Sequence, residues 1–186
     1  MMPTYDWIII GAGAAGLFAA ARAADQAGVS VLVLERGTRP GRKVLISGAG
    51  QCNFTHAESA ADMVGHYGDK RNFVRPAISR LDAESLMRYF ETLGLPSVVR
   101  PDAKVFPATL AAADLVEALA KKAKSGGVRF EFSQYVEKLV PLDGGGFELI
   151  CGDQTWRAKN VLMAGGGSSY PMTGSDGSGF RLAADL

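Results

Sequence analysis

Gly11-Ala12-Gly13-Ala14-Ala15-Gly16 follows the apolar run Tyr5 to Ile10 and precedes an Ala-rich stretch, a second apolar run from Val29 to Leu34, and then Glu35. That order of parts suits a dinucleotide. Gly11 permits a tight turn at a strand end, Gly13 lets a phosphate approach the backbone, and Gly16 lets a helix pack closely on the strand. The amides of Ala14, Ala15 and Gly16, at the positive end of that helix, would then face a pyrophosphate. Glu35 falls about 20 residues past the glycine loop, where a carboxylate accepts hydrogen bonds from ribose hydroxyls and repels a 2′-phosphate. Arg36 and Gly41-Arg42-Lys43 put cations just beyond the second run, either within reach of the same ligand or as solvated surface charge. These residues by themselves do not separate NAD from FAD.

The other reactive side chains are few. Cys52 and Cys151 lie far apart and outside any C-x-x-C pattern, so neither a metal cage nor a dithiol pair is indicated, and both thiols are expected reduced. His56 and His66 are the only histidines and lack metal-ligand spacing. His56 could shuttle a proton or be an ordinary hydrogen-bonded surface histidine. Lys121, Lys122 and Lys124 read as a solvated helix end, as the helix dipole favours.

The elements that must position this loop can be read from periodicity. A helix from Ala14 to Gln26, with Gly28 as its stop, would join two parallel strands in one crossover unit. Arg36 to Thr55 then loses all periodicity, as functional loops do. Asp82 looks like the N-cap of a helix to Leu93, with Leu86, Tyr89, Phe90 and Leu93 on one face and Gly94 as the stop. A further helix covers Ala111 to Lys124, buried through Leu115, Val116, Leu119 and Ala120 or Ala123, and ended by Gly126-Gly127. From Val128 the period changes to two, giving strands Val128 to Phe132, Tyr135 to Leu142, Phe147 to Cys151, Thr155 to Ala158 and Val161 to Ala164. Asp143-Gly144-Gly145-Gly146 and Gly152-Asp153 make the turns of an antiparallel meander that returns into the main sheet. A last helix starts at Phe180.

The fold class is therefore α/β, a Rossmann-like βαβ parallel sheet with an antiparallel β-meander. The 186 residues, 47 % of them apolar, can bury a real core. Twenty Lys and Arg against 19 Asp and Glu leave a net charge of +1, so no whole-chain field argues for nucleic acid or a membrane surface. No apolar run approaches the roughly 20 residues of a bilayer span. With no basic region before the first strand, a cytoplasmic location is expected.

Gly41-Arg42-Lys43-Val44-Leu45-Ile46-Ser47-Gly48-Ala49-Gly50-Gln51-Cys52-Asn53-Phe54-Thr55 resembles the signature loop of the BaiN-type NAD(P)/FAD-dependent oxidoreductases, also labelled aminoacetone-oxidase-like. Lys104-Val105-Phe106-Pro107 is similar to that family's (Arg/Lys)-Val-Phe-Pro element, and Ala164-Gly165-Gly166-Gly167-Ser168-Ser169-Tyr170-Pro171-Met172-Thr173-Gly174-Ser175 to its Ala-Thr-Gly-Gly-x-Ser-Tyr-Pro-x-x-Gly-Ser block. Gln51 stands where the family usually has Arg, and Gly165 where it usually has Thr.

The resemblance implies FAD as the cofactor of an oxidoreductase, with NAD(P)H or a small organic molecule as its partner. It puts the glycine loop and Glu35 on the ADP half and Ser47, Gly48, Cys52 and Asn53 toward the isoalloxazine half. Val136, Ala164, Gly165 and Gly166 complete the expected cofactor set. Asn53 can offer donor and acceptor to the ring's imide-like edge, or cap a turn. Cys52 is either a thiol facing the flavin or a small packed side chain. Tyr170 lines the same cavity or packs in the core. The resemblance treats residues 1–186 as one FAD/NAD(P)-binding domain, the N-terminal portion of the family, without its inserted substrate domain and C-terminal flavin segment. A non-catalytic dinucleotide-binding fragment and an NAD-binding module are the alternatives.

Overall fold

A computed structural model describes residues 3–186. The chain divides into two compact units, one formed by the chain up to Val44 together with Leu119–Leu186, the other by Leu45–Ala118.

The first unit is built on a sheet that begins with β1 (Thr4–Ile10), α1 (Ala14–Ala23) and β2 (Val31–Glu35). β1 and β2 pair in parallel, Trp7 beside Val31 through Ile10 beside Leu34. Val31, Leu32, Val33 and Leu34 are all buried, which is how a parallel strand covered on both faces reads. α1 is shorter than the periodicity suggests, because its Ala-rich run ends three residues before Gln26 in turns rather than at Gly28.

The second unit carries β3 (Thr55–His56), α2 (Ala60–Gly65), α3 (Arg71–Arg80), α4 (Ala83–Thr92), β4 (Ser97–Val99) and β5 (Lys104–Pro107). Its three strands form a separate antiparallel sheet in the order β3-β5-β4. Periodicity reveals none of these strands, since two to four residues are too few to show alternation. α2 and α3 are likewise absent from the sequence expectation. α4 starts as expected, with the Asp82 carboxylate accepting from the Ser85 amide at 2.8 Å.

α5 (Ala112–Ser125) buries Leu115, Val116, Leu119 and Ala123. Its tail is not wholly solvated: Lys122 pairs with Asp25 at 2.6 Å. β6 (Arg129–Phe132), β7 (Lys138–Pro141), β8 (Phe147–Cys151) and β9 (Gln154–Met163) follow, then α6 (Ser178–Ala184). β6 belongs to the parallel part of the sheet, beside β2, and not to the meander. Its alternation is that of an edge strand with one covered face, which does not reveal pairing direction. The two strands expected at 155–158 and 161–164 are one continuous β9, whose first half pairs antiparallel with β8 while most of its length pairs parallel with β1.

The six strands run β6-β2-β1-β9-β8-β7. From β1 the chain passes through α1 to β2 on one side, while β9 lies on the other. The sheet therefore reverses its winding between β1 and β9, and in open α/β sheets the crevice beyond the carboxyl ends of two such strands receives ligands.

Candidate functional site

The loops leaving β1 and β9 meet at that crevice. Gly11 has φ +100°, a conformation an L side chain rarely adopts, and a Cβ there would lie 2.7 Å from the Ala164 carbonyl oxygen. Gly16 is tighter still, with its Cβ position 1.9 Å from the Gly11 carbonyl oxygen. Gly13 is the opposite case: nothing lies within 4 Å of its Cβ position. Two of the three glycines are thus required by the protein's own packing, and the third keeps a space open.

That space faces the start of α1. Gly13 is its N-cap and offers no side-chain acceptor, and the first turn contains no acid. The first intrahelical bond runs from the Leu17 amide to the Gly13 carbonyl at 2.9 Å, which leaves the amides of Ala14, Ala15 and Gly16 without a helical acceptor. Ala14 and Ala15 are exposed. An anion at this point would gain amide hydrogen bonds and the favourable end of the helix dipole.

Glu35 closes the opposite wall. One carboxylate oxygen accepts from the Ala12 amide and the other from the Gly37 amide, each at 2.7 Å. Each ionised oxygen has a second lone-pair direction, so the group can take ribose hydroxyls while its own orientation is fixed. Gly41, buried and at φ +74°, donates its amide to the Ala12 carbonyl at 2.8 Å and ties the following loop to the same place.

The cations beyond β2 are arranged otherwise than their sequence positions suggest. Arg36 pairs with Asp176 at 2.8 Å and lies over the Tyr135 ring, 5.9 Å from its centroid. Arg42 donates to the Met172 carbonyl at 2.9 Å. Lys43 donates to the Ser169 carbonyl and the Ser175 hydroxyl, both at 2.7 Å. All three head groups therefore hold the glycine-rich segment after β9. Arg36, Gly37, Thr38, Arg39 and Arg42 also line an open cleft.

Asp176 and Ser175 are the residues that sequence reasoning missed. Asp176 accepts from the Ser178 amide as well as from Arg36, and these bonds hold its carboxyl well below the usual carboxylate range. The available signal was an Asp two residues before a helix start; its partner, 140 positions away, left none.

Ala164 and Gly165 are half-buried, and Gly165 has nothing near its Cβ position. Gly166, at φ +79°, is in a conformation an L side chain rarely adopts, and a Cβ there would displace the Ser175 hydroxyl, 2.7 Å away. Val136 lies outside the strands, with its side chain in the core among Ile8, Leu32 and Leu139, so only its backbone can face a ligand. Tyr170 is largely exposed and does not pack in the core.

In the second unit, Ser47, Gly48, Cys52 and Asn53 form one tight loop. The Cys52 amide donates to the Ser47 carbonyl at 3.0 Å, and a Cβ on Gly48 would fall 2.8 Å from the Asn53 nitrogen. Cys52 adopts φ +61° and is buried; desolvation pushes its thiol up, against a weaker lowering by a Ser47 hydrogen bond. Gln51 accepts from Arg100 at 2.5 Å, and Arg100 stacks over Phe106 with 4.0 Å to the ring centroid. His56 pairs with Lys104 in the small sheet, and His66 contacts Glu58 at 2.8 Å. Among the described residues no group of His, Cys, Asp or Glu could hold a metal, and no helix is long and apolar enough to cross a membrane.

A parallel sheet with a glycine loop, a free helix start and a fixed acid at its switch point defines a dinucleotide-binding Rossmann domain. The chain belongs to the HI0933-like protein Rossmann domain family, whose model matches residues 5–186. The ribosomal RNA dihydrouridine synthase of Escherichia coli is 33 % identical over 184 residues, which is 98 % of this chain and 44 % of that protein. The 3-dehydro-bile acid delta(4,6)-reductase of Clostridium scindens is 32 % identical over 179 residues, 96 % of this chain and 43 % of that protein. The open conformation of a flavocytochrome c3 fumarate reductase shares the fold, with a TM-score of 0.72 at 19 % identity over 98 % of this chain and 40 % of that one. This chain thus spans less than half the length of these relatives. FAD is the dinucleotide this family of Rossmann domains carries, and the open Gly13 cradle with the oriented Glu35 fits its ADP half.

Proposed function

We propose that the chain is the FAD-binding portion of an oxidoreductase and that residues 1–186 act as one FAD/NAD(P)-binding domain. The observation that supports this most directly is the asymmetry of the glycine loop: Gly11 and Gly16 are packed against backbone while Gly13 faces open space. In this reading Gly11, Gly13, Ala14, Ala15 and Gly16 hold the pyrophosphate and Glu35 the adenosine ribose. Ala164, Gly165, Gly166 and the Val136 backbone supply further cofactor contacts. Arg36, Gly41, Arg42 and Lys43 keep the surrounding loops in place through the bonds described above. By resemblance to the family, Ser47, Gly48, Cys52 and Asn53 are assigned to the same cofactor, Asn53 through an amide that both donates and accepts.

When bound, FAD supplies hydride or electron transfer with an organic or nicotinamide partner. This chain's residues orient it: the helix start fixes the phosphates, Glu35 fixes the ribose, and the buried Cys52 stays a neutral thiol. We place the protein in the cytoplasm, where reduced nicotinamides and reduced thiols are both available. One relative is named for dihydrouridine in ribosomal RNA and another for a bile acid. We therefore take a base carried by RNA as the first substrate class to examine.

The test is an absorbance spectrum of the purified chain near the flavin bands, before and after FAD is added and the excess removed. Retained flavin supports the reading; a chain that stays colourless and takes up no FAD overturns it. Tight NADH binding without FAD binding would make it an NAD-binding module instead. Slow or absent bleaching of bound flavin by reductants would leave only a non-catalytic dinucleotide carrier.

A further inference from the structure

Arg100 brings a charge without a counter-ion to the loop of Gln51, Cys52 and Asn53. It follows β4 directly, and the turn into β5 fixes its backbone twice. Its amide donates to the Lys104 carbonyl and its carbonyl accepts from the Ala103 amide, each at 2.9 Å. The half-buried guanidinium lies over the Phe106 ring and donates to the Gln51 side-chain oxygen. Among the described residues, the ion pairs of this unit join His66 to Glu58, Arg88 to Glu84 and Lys104 to Asp102, and none includes Arg100.

The loop that receives this bond needs holding. Gly48, Ala49, Gly50 and Cys52 all have positive φ, at +54°, +54°, +85° and +61°. Ala49 and Cys52 carry side chains in a region that favours glycine, a conformation that persists only where the surroundings impose it. The bonds from the Cys52 amide to the Ser47 carbonyl and from the Gln51 amide to the Gly48 carbonyl stay inside the loop. Arg100 and Phe106 reach it from the small sheet. The Phe106 ring lies 3.3 Å from the Cβ position of Gly48, so the ring beneath the guanidinium also packs on the loop. Both are presented by one hairpin, in which Val98 pairs with Phe106 and Val99 with Val105.

Gln51 stands where the family usually has Arg. Glutamine is neutral, yet its oxygen holds a guanidinium that comes from position 100. The charge absent from the loop's own sequence thus returns to it from another element. Only a planar guanidinium can donate from its edge while its face stays on a ring. A cation held at a flavin loop tunes the ring's affinity for electrons and anions.

We propose that Arg100 is a positioning residue of the cofactor loop, held to it through Gln51, and that it supplies from the small sheet the positive charge the family carries at position 51. The effect on flavin rests on the reading that Ser47 to Asn53 serve the cofactor. The hold on the loop does not.

Two measurements test it. In the chain without FAD, alkylation of Cys52 by iodoacetamide is followed by peptide mapping. Arg100→Met fills similar space with neither donor nor charge, and should let Cys52 react roughly tenfold faster, as the loss of one charge-assisted hydrogen bond allows. Cys151, in the first unit, should react as in the parent. In the FAD-loaded chain, sulfite, an anion that adds to the oxidised flavin, is titrated by the loss of flavin absorbance. Arg100→Met should weaken sulfite binding roughly threefold or more. Arg100→Lys keeps the charge and loses the planar fork, so it should free Cys52 yet hold sulfite affinity within about a factor of two of the parent. Gln51→Arg/Arg100→Gln returns the cation to position 51 and should recover the parent's sulfite affinity. Arg75→Met, which removes an exposed arginine of the same unit, should match the parent in both measurements.

The proposal is overturned if Arg100→Met leaves Cys52 alkylation and sulfite affinity unchanged, if the exchanged pair fails to recover sulfite binding, or if Arg75→Met shifts either measurement equally. Circular dichroism checks that each variant folds, and Arg100→Lys with the exchanged pair carries the test if Arg100→Met does not. A parent chain that takes up no FAD refutes the cofactor reading, while alkylation still decides the hold on the loop. Retained FAD with Arg100→Met indistinguishable from the parent refutes the role of Arg100 alone.

Discussion

Replacing Gly13 and Gly16 separately by alanine distinguishes ligand space from packing space. The Gly13 backbone, at φ −76° and ψ −167°, is open to alanine, and the added methyl meets nothing within 4 Å. Gly13→Ala should therefore fold normally, with stability unchanged or raised by about 0.4–1 kcal/mol through a less flexible unfolded chain. Its cost should fall on the cofactor. A methyl in the path of the pyrophosphate pushes it off the amides at the start of α1, and losing one charge-assisted hydrogen bond, worth about 1.5–3 kcal/mol, weakens FAD binding roughly tenfold to 150-fold. Gly16→Ala should behave inversely, because its Cβ position lies 1.9 Å from the Gly11 carbonyl oxygen, so strand and helix must separate before any ligand arrives. Strain of this kind costs on the order of 1–3 kcal/mol or more. Thermal melts of the apo chains and FAD titrations followed by flavin fluorescence give the two numbers for each variant. FAD affinity in Gly13→Ala within a factor of three of the parent would show that the pyrophosphate does not use that space.

Three further outcomes follow from the geometry. Glu35→Ala removes the acceptor of the Ala12 and Gly37 amides as well as the proposed ribose contact, and should weaken FAD binding by about 1–3 kcal/mol in the same titration; unchanged affinity would undo its role. Asp176, with its carboxyl depressed in the folded state, contributes stability that is fully present above the unfolded Asp value of about 3.9 and lost as pH falls below it. The melting temperatures of parent and Asp176→Asn should therefore differ most above about pH 5 and converge in acid, and a gap that stays constant down to pH 3 would refute the Arg36 pairing. Burial raises both thiols, Cys151 up to about 11, so iodoacetamide at pH 7.5 should label neither cysteine in the native chain and both in guanidinium; rapid native labelling of Cys52 would contradict its enclosed position.

The Gly11 to Gly16 loop, the strands on either side of it and Glu35 were legible in the sequence because their constraints are local. A strand, a turn, a helix start and a second strand occur in chain order, and each leaves a composition mark within a few residues. The α4 cap and the buried face of α5 were legible for the same reason. α2, α3 and the strands of the small sheet were not, since elements this short or this exposed carry no clear apolar period. What only the tertiary structure decided is pairing across distance. It put β6 beside β2, joined β9 to both β8 and β1, and gave Arg36, Arg42 and Lys43 to a segment more than 120 residues away. A cation's charge can be read from its type, but its partner depends on which strand ends meet, and that is set by sheet order. The glycine loop and the position of Glu35 were thus set by the sequence, while only the tertiary structure showed that the neighbouring cations hold the glycine-rich segment after β9.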